Sequence, residues 1–129
     1  MPKTIRQSVT IKASPRAVYD TLIDSRRHTA LTGSPARIVP KPGGTFSVYG
    51  GYISGFNIEL VPGKKIVQLW RSKGWPEHHY STVTYTLARV KDGTRLRFTQ
   101  EGVPDDDYED KRTGWITHYW QPLKAKLEK

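Results

Sequence analysis

Two hydrophobic rhythms run along the chain, one of period two and one of helical period. Together they predict a strand, two short helices, a series of strands and a long final helix. From Thr4 to Lys12 polar and apolar residues alternate, with Ile5, Val9 and Ile11 as inward candidates. Ala13-Ser14-Pro15-Arg16 then starts a helix. Ser14 can accept from free backbone N–H groups, and Pro15 at the first helical position loses nothing by lacking its own. Ala17, Val18, Leu22 and Ile23 form its apolar stripe, and it stops near Asp24-Ser25. A second short helix over Arg26 to Leu31 ends at Gly33, suited to a left-handed cap. Ala36 to Val39 reads as a strand kept short by Pro40 and Pro42, since proline belongs at sheet edges.

A meander follows, opened by Gly43-Gly44 and divided at Gly50-Gly51, Pro62-Gly63 and Gly74-Trp75-Pro76. Its strands are predicted over Thr45 to Tyr49, Tyr52 to Val61 and Lys64 to Lys73. In the third, Ile66, Gln68, Trp70 and Ser72 fall on the concave face. Arg71 and Lys73 share the opposite phase with Val67 and Leu69, and an unpaired buried charge is costly. The middle strand has two competing phases, Phe56/Ile58/Leu60 against Ile53/Gly55/Asn57, and a bulge near Gly55 would reconcile them. Tyr80 to Val90 sets Val83, Tyr85 and Leu87 against Thr82, Thr84 and Thr86. Asp92-Gly93 reads as a two-residue hairpin turn. Thr94 to Val103 returns with Leu96, Phe98 and Gln100 on one face and Arg95, Arg97 and Thr99 on the other.

Pro104-Asp105-Asp106-Asp107 starts the final helix, with an aspartate cap and first turns acidic enough to complement the helix dipole. Its stripe is Ile116, Tyr119, Trp120, Leu123 and Leu127, joined by Trp115. Pro122 lies inside it. There proline removes a hydrogen bond and its ring meets the carbonyl of His118, which predicts a kink near His118–Tyr119 or an early end.

Composition narrows the class. The 129 residues suit one domain (1–129), and 36% apolar content with 11% aromatic can fill a modest core. No apolar run approaches the ~20 residues of a membrane span. Met1-Pro2-Lys3-Thr4-Ile5-Arg6 carries no secretory pattern, so a cytoplasmic protein is expected. With no cysteine there is no disulfide, thiolate nucleophile or Cys-ligated zinc. The net charge of +9 comes from scattered lysines and arginines, several alternating with apolar residues as on the solvent face of a sheet. With no helix-turn-helix and no RNP-type aromatic motif, specific nucleic-acid binding is not expected. The charge implies attraction to acidic partners.

Several segments carry a family resemblance: Gly50-Gly51-Tyr52-Ile53-Ser54-Gly55, Glu59-Leu60-Val61-Pro62-Gly63-Lys64-Lys65-Ile66-Val67, Trp70-Arg71 and Trp75-Pro76-Glu77-His78-His79-Tyr80-Ser81-Thr82. They resemble the C-terminal domain of the activator of heat-shock protein 90 ATPase, within the START-like (SRPBCC, birch-pollen-allergen) superfamily. The loop Leu31 to Ala36 and the pair Gly114-Trp115 match as well; Pro122 departs. The resemblance implies an α+β helix-grip fold, a curved antiparallel sheet of six or seven strands around one long C-terminal helix. It says more about fold than about activity. The family's N-terminal domain, which makes a principal chaperone contact, has no counterpart in the match.

A sheet closed by one helix leaves a space whose apolar walls and few polar groups would suit a small molecule. The candidate lining is Gln68, Trp70, Ser72, Tyr85, Phe98, Gln100, Trp115, Ile116 and Tyr119, which could equally pack as core. His78 and His79, as strand neighbours, would point to opposite faces and cannot share a metal. The acidic run at Asp105 to Asp110 lacks calcium-loop spacing. No metal and no cofactor are expected. The first expectation is therefore a non-enzymatic binding domain with a cavity for a small hydrophobic or aromatic ligand. The alternative, implied by the resemblance, is a module that binds or stimulates a heat-shock protein 90-type ATPase. A cyclase- or aromatase-like enzyme using His118 or Tyr119 for proton transfer comes third.

Overall fold

The computed structural model describes residues 2–128. In chain order it contains β1 (Lys3–Ile11), α1 (Pro15–Ile23), α2 (Ser25–Thr32), β2 (Arg37–Ile38), β3 (Thr45–Val48), β4 (Ile53–Val61), β5 (Lys65–Ser72), β6 (Ser81–Val90) and β7 (Gly93–Val103). The final helix follows as α3 (Tyr108–Trp115), a π turn over Ile116–Trp120, and α4 (Gln121–Leu127). The seven strands form one antiparallel sheet in the order β1-β7-β6-β5-β4-β3-β2. The helix-grip expectation holds.

The starts and stops of α1 and α2 follow their local chemistry. Ser14 accepts from the Ala17 amide at 3.1 Å, with Pro15 behind it. Asp24 ends α1 and caps α2 by accepting from Arg27 N at 2.9 Å. Gly33 closes α2 with φ of 78°. Alternation then places one face of each strand inside: Ile5 and Ile11 from β1, Ile66 and Trp70 from β5, Val83, Tyr85 and Leu87 from β6, Leu96 and Phe98 from β7. Val18 and Leu22 of α1 and Trp115, Tyr119, Trp120 and Leu123 of the last helix are buried with them. That helix is fastened across the free edge of β1. Trp120 Nε1 donates to Gln7 Oε1 at 2.6 Å, Gln7 Nε2 to the Arg112 carbonyl at 2.8 Å, and Lys12 N to Glu128 Oε2 at 2.9 Å. The Gln7 side chain thus holds the helix at two points, Trp120 and Arg112.

Four local expectations are corrected. In β4 the inward set is Ile53, Gly55 and Asn57, and the register slips between Asn57 and Glu59, so the bulge sits at Ile58 and not near Gly55. Gly55 cannot be the bulge because a Cβ there would lie within 1.8 Å of the Leu69 carbonyl oxygen; the strands approach too closely for a side chain. Val90 pairs with Gly93, so the hairpin loop is Lys91-Asp92 and Gly93 already belongs to β7. The helix does not begin on a capping aspartate side chain: Asp105–Asp107 form a 3-10 turn, and Asp107 makes no cap hydrogen bond. Of the two outcomes expected of Pro122, the early end does not occur, and the irregularity falls over Ile116–Trp120, around the expected His118–Tyr119 position. The preceding turn widens instead, with Gln121 N–H bonded to the Ile116 carbonyl, five residues back. A π turn makes room at the position where a regular α turn would need the missing N–H.

Candidate functional site

Where α3 and the π turn cross the Tyr49–Ile53 connection, a groove of about 420 Å³ opens. Three of the nine expected residues line it: Trp70 from β5, Trp115 from α3 and Tyr119 from the π turn. Tyr49, Tyr52, Lys111, Gly114 and His118 are also among its walls. Tyr49 holds a left-handed conformation, φ 53°, which is rare for a residue with a side chain. It begins the tight turn Tyr49-Gly50-Gly51, and that turn aims the Tyr49 ring at Tyr119 and His118, with centroids 6.2 and 6.1 Å apart.

The remaining expected residues lie outside the groove lining. Phe98 packs on Trp115 at 4.3 Å between centroids, and Tyr85 on Phe98 at 5.4 Å. Gln100 holds a buried relay: Trp115 Nε1 donates to its Oε1 at 2.7 Å, and its Nε2 donates to Ser81 Oγ at 2.9 Å. Ser81 Oγ passes the chain to the Trp70 carbonyl at 2.9 Å. Gln68 Nε2 donates to Asn57 Oδ1 at 3.0 Å, and Asn57 Nδ2 to the Val39 carbonyl at 2.8 Å. Both glutamines thus meet the requirement that a buried amide be bonded, and they do it inside the core. Ser72 is fully buried and its hydroxyl has no partner. Ile116 is half-buried on the helix flank.

Behind the groove sits a group that sequence reasoning missed. His28 of α2 is buried, and its Nε2 lies 2.8 Å from Tyr119 Oη. Burial lowers its pKa to about 4, so the ring is neutral at pH 7. Burial raises Tyr49 to about 12, against a lowering influence from the neighbouring Tyr119 hydroxyl, and it pushes Tyr85 and Tyr119 up as well. The Nδ1 of His28 and the hydroxyl of Tyr49 are buried without a well-formed hydrogen bond. Such a set supplies neutral donors and acceptors. A general acid or base works best with a pKa near the operating pH, and these shifts run away from it. No sequence signal joins His28 to Tyr119, which are 91 positions apart; only the topology does.

The mouth of the groove is held by ionic contacts. Lys111 is buried, with its Nζ 2.9 Å from Asp107 and 3.0 Å from Asp110. Burial alone would lower its pKa, but the two carboxylates more than offset it and the pKa is raised. Asp107 also accepts from Trp75 Nε1 at 2.6 Å. Trp75 in turn lies against Trp70 and His79, so the acidic run fixes the Gly74–Tyr80 connection to the helix. His78 and His79 lie in this connection, before β6 begins: His78 is exposed, while His79 bonds the Gly102 carbonyl at 2.7 Å. Among the described residues, no group of three His, Asp or Glu side chains could hold a metal ion, and no helix is long and apolar enough to cross a membrane.

A seven-stranded antiparallel sheet gripping one C-terminal helix, with an aromatic groove where they meet, defines the helix-grip α+β class. Within that class, residues 12–128 match the family model described as Activator of Hsp90 ATPase homolog 1-like protein, and the chain belongs to that family. It is 35% identical over 115 residues to the human activator of 90 kDa heat shock protein ATPase homolog 1. It is 37% identical over 123 residues to the Dictyostelium discoideum homolog. The matches take in 89% and 95% of this chain but only 34% and 32% of those relatives, about a third of their length. A crystal structure of an HSP90 activator from Plasmodium falciparum superposes with a TM-score of 0.92 at 28% identity, covering 97% of this chain and 96% of that one. The solution structure of an Aha1 dimer from Colwellia psychrerythraea shares the fold, with a TM-score of 0.83 at 23% identity over 98% and 96% of the two chains.

Proposed function

We propose that this chain is a non-catalytic module that binds an Hsp90-type chaperone ATPase and stimulates its turnover. The observation that carries the reading is the likeness to the solved Plasmodium falciparum HSP90 activator chain, which extends over 97% of this chain and 96% of that one. The interior favours the same side. Phe98, Tyr85, Gln100 and Gln68 fill the space between sheet and helix with tilted, packed rings and bonded amides, which supports recognition at the surface. The test is to titrate the chain into the Hsp90-type ATPase of its own source at low and moderate salt. Saturable binding with a raised ATPase rate is expected; no binding at either salt overturns the reading.

One observation favours a second role. The unpartnered Tyr49 hydroxyl beside a groove of about 420 Å³ offers a hydrogen bond to an apolar ligand carrying an acceptor. Gly114 lies on the groove wall, and a Cβ added there would meet only His118 Cδ2, at 3.8 Å. Gly114→Leu therefore narrows the groove while favouring the helix. Fluorescence of anilinonaphthalene sulfonate should rise on the native protein and fall with Gly114→Leu. Equal signals from both would remove the groove from consideration.

A further inference from the structure

The helices cover one face of the sheet and leave the other bare. Strand register shows what the bare face presents. One cross-strand row reads Phe56, Leu69, Thr82, Glu101; the next Glu59, Val67, Thr84, Thr99, Arg6; the next Lys65, Thr86, Arg97, Ser8; and the last Ala88, Arg95, Thr10. The face is therefore polarised. At the β4 end Phe56 and Ile58 keep 38% and 48% of their surface exposed, Val67 and Leu69 are half-buried, and Tyr80 lies 6.0 Å from Phe56. Arg71 stands over the Tyr80 ring at 5.8 Å and is held there by donating to the Trp75 carbonyl at 3.0 Å. At the β7–β1 end Arg6, Arg95 and Arg97 are exposed, and among the described residues none of them forms an ion pair or a side-chain hydrogen bond.

We infer that this outer face is the docking surface for the protein partner, and that the partner presents a negatively charged patch opposite Arg6, Arg95 and Arg97 beside an apolar spot opposite Phe56. The inference rests on the chaperone-ATPase reading above and names the surface that serves it. Aromatic residues with a positioned arginine are the composition of an interface centre, and unpaired arginines at its edge steer an acidic partner. The carboxylates on this face are Glu59 and Glu101, and Glu59 is engaged by Lys65 at 3.4 Å. A nucleic-acid backbone fits less well. It needs a continuous cationic track, whereas Thr84, Thr86 and Thr99 interrupt this one and its other end is apolar.

The experiment measures binding of the whole chain to the Hsp90-type ATPase of its own source, for the native sequence, Phe56→Ser, the pair Arg95→Glu with Arg97→Glu, and Gly114→Leu as a groove control. All the exposed substitutions should leave the circular dichroism and melting temperature near native. Each face variant should weaken binding about tenfold or more, while Gly114→Leu binds as the native chain does. If the native chain binds and both face variants stay within about twofold of it, the docking surface lies elsewhere and the chaperone reading survives. If the native chain does not bind, both fall. If only duplex DNA or anionic vesicles are bound, and the arginine pair alone reduces that binding, the face is merely cationic and the inference is overturned.

Discussion

Gln100 shows how a single polar side chain can specify a core. Its amide oxygen takes the Trp115 indole N–H and its amide nitrogen serves Ser81, so one residue ties β6, β7 and the final helix together. Gln100→Leu keeps the volume but leaves the indole N–H unsatisfied in a dry interior, which costs about 1–3 kcal/mol. Denaturant unfolding should show that loss as a lower midpoint with an unchanged slope. Trp115→Phe in the Gln100→Leu background should then cost less than in the native one, because the orphaned donor is gone. His28 gives a second prediction at this scale. Its folded pKa is lowered by burial to about 4, below the 6.5 of the free group, so the unfolded chain binds the proton first. The stability that the neutral ring contributes is present above pH 6.5 and is lost as pH falls toward 4, by roughly 3 kcal/mol in full. Melting curves across that window should separate native protein from His28→Gln, which should be flatter; parallel curves would mean that His28 titrates normally.

At the scale of elements, what the sequence could express was carried by local chemistry, and what it missed came from contacts between distant segments. Ser14-Pro15, Asp24 and Gly33 state helix ends through backbone groups within four residues, and they were legible. The inward phases of β5 and β7 were legible because charge and burial exclude each other, and that of β6 because apolar residues alternate with threonines. The bulge at Ile58 was not, since Gly55 owes its identity to the Leu69 carbonyl on the next strand and not to its own strand. Asp107 looked like a cap and proved to be the anchor of Trp75 and Lys111. In the groove, Trp70, Trp115 and Tyr119 could be read from periodicity, whereas Tyr49 reaches it, and His28 reaches Tyr119 behind it, only through the fold. Gly55→Ala follows from this. Its methyl group would overlap the Leu69 carbonyl, so β4 and β5 must separate or the strand must shift. Among single-methyl additions to the sheet it should be one of the costliest, about 3 kcal/mol or more, as expected of overpacking against backbone. Hydrogen exchange should localise the damage to amides of β4 and β5.

At the scale of the molecule, a net chain charge of +9 together with a polarised sheet face should separate how fast the chain finds its partner from how long it stays. Exposed arginines act over roughly a Debye length, about 8–10 Å at physiological salt, and therefore mainly on encounter. Phe56 and Tyr80 act only at contact, and therefore on residence. In stopped-flow or surface-binding kinetics with the chaperone ATPase, the arginine-pair variant should lower the association rate and flatten its salt dependence, leaving dissociation within about threefold of native. Phe56→Ser should do the reverse, raising the dissociation rate with little change in association. The division follows from the layout, because the cations lie on β1 and β7 while the apolar centre lies on β4 and β5, two strands away in the sheet order. If both variants instead changed dissociation alone, the arginines would be buried contacts within the complex and not its steering rim. The docked partner would then have to extend over the whole sheet, from β4 to β1.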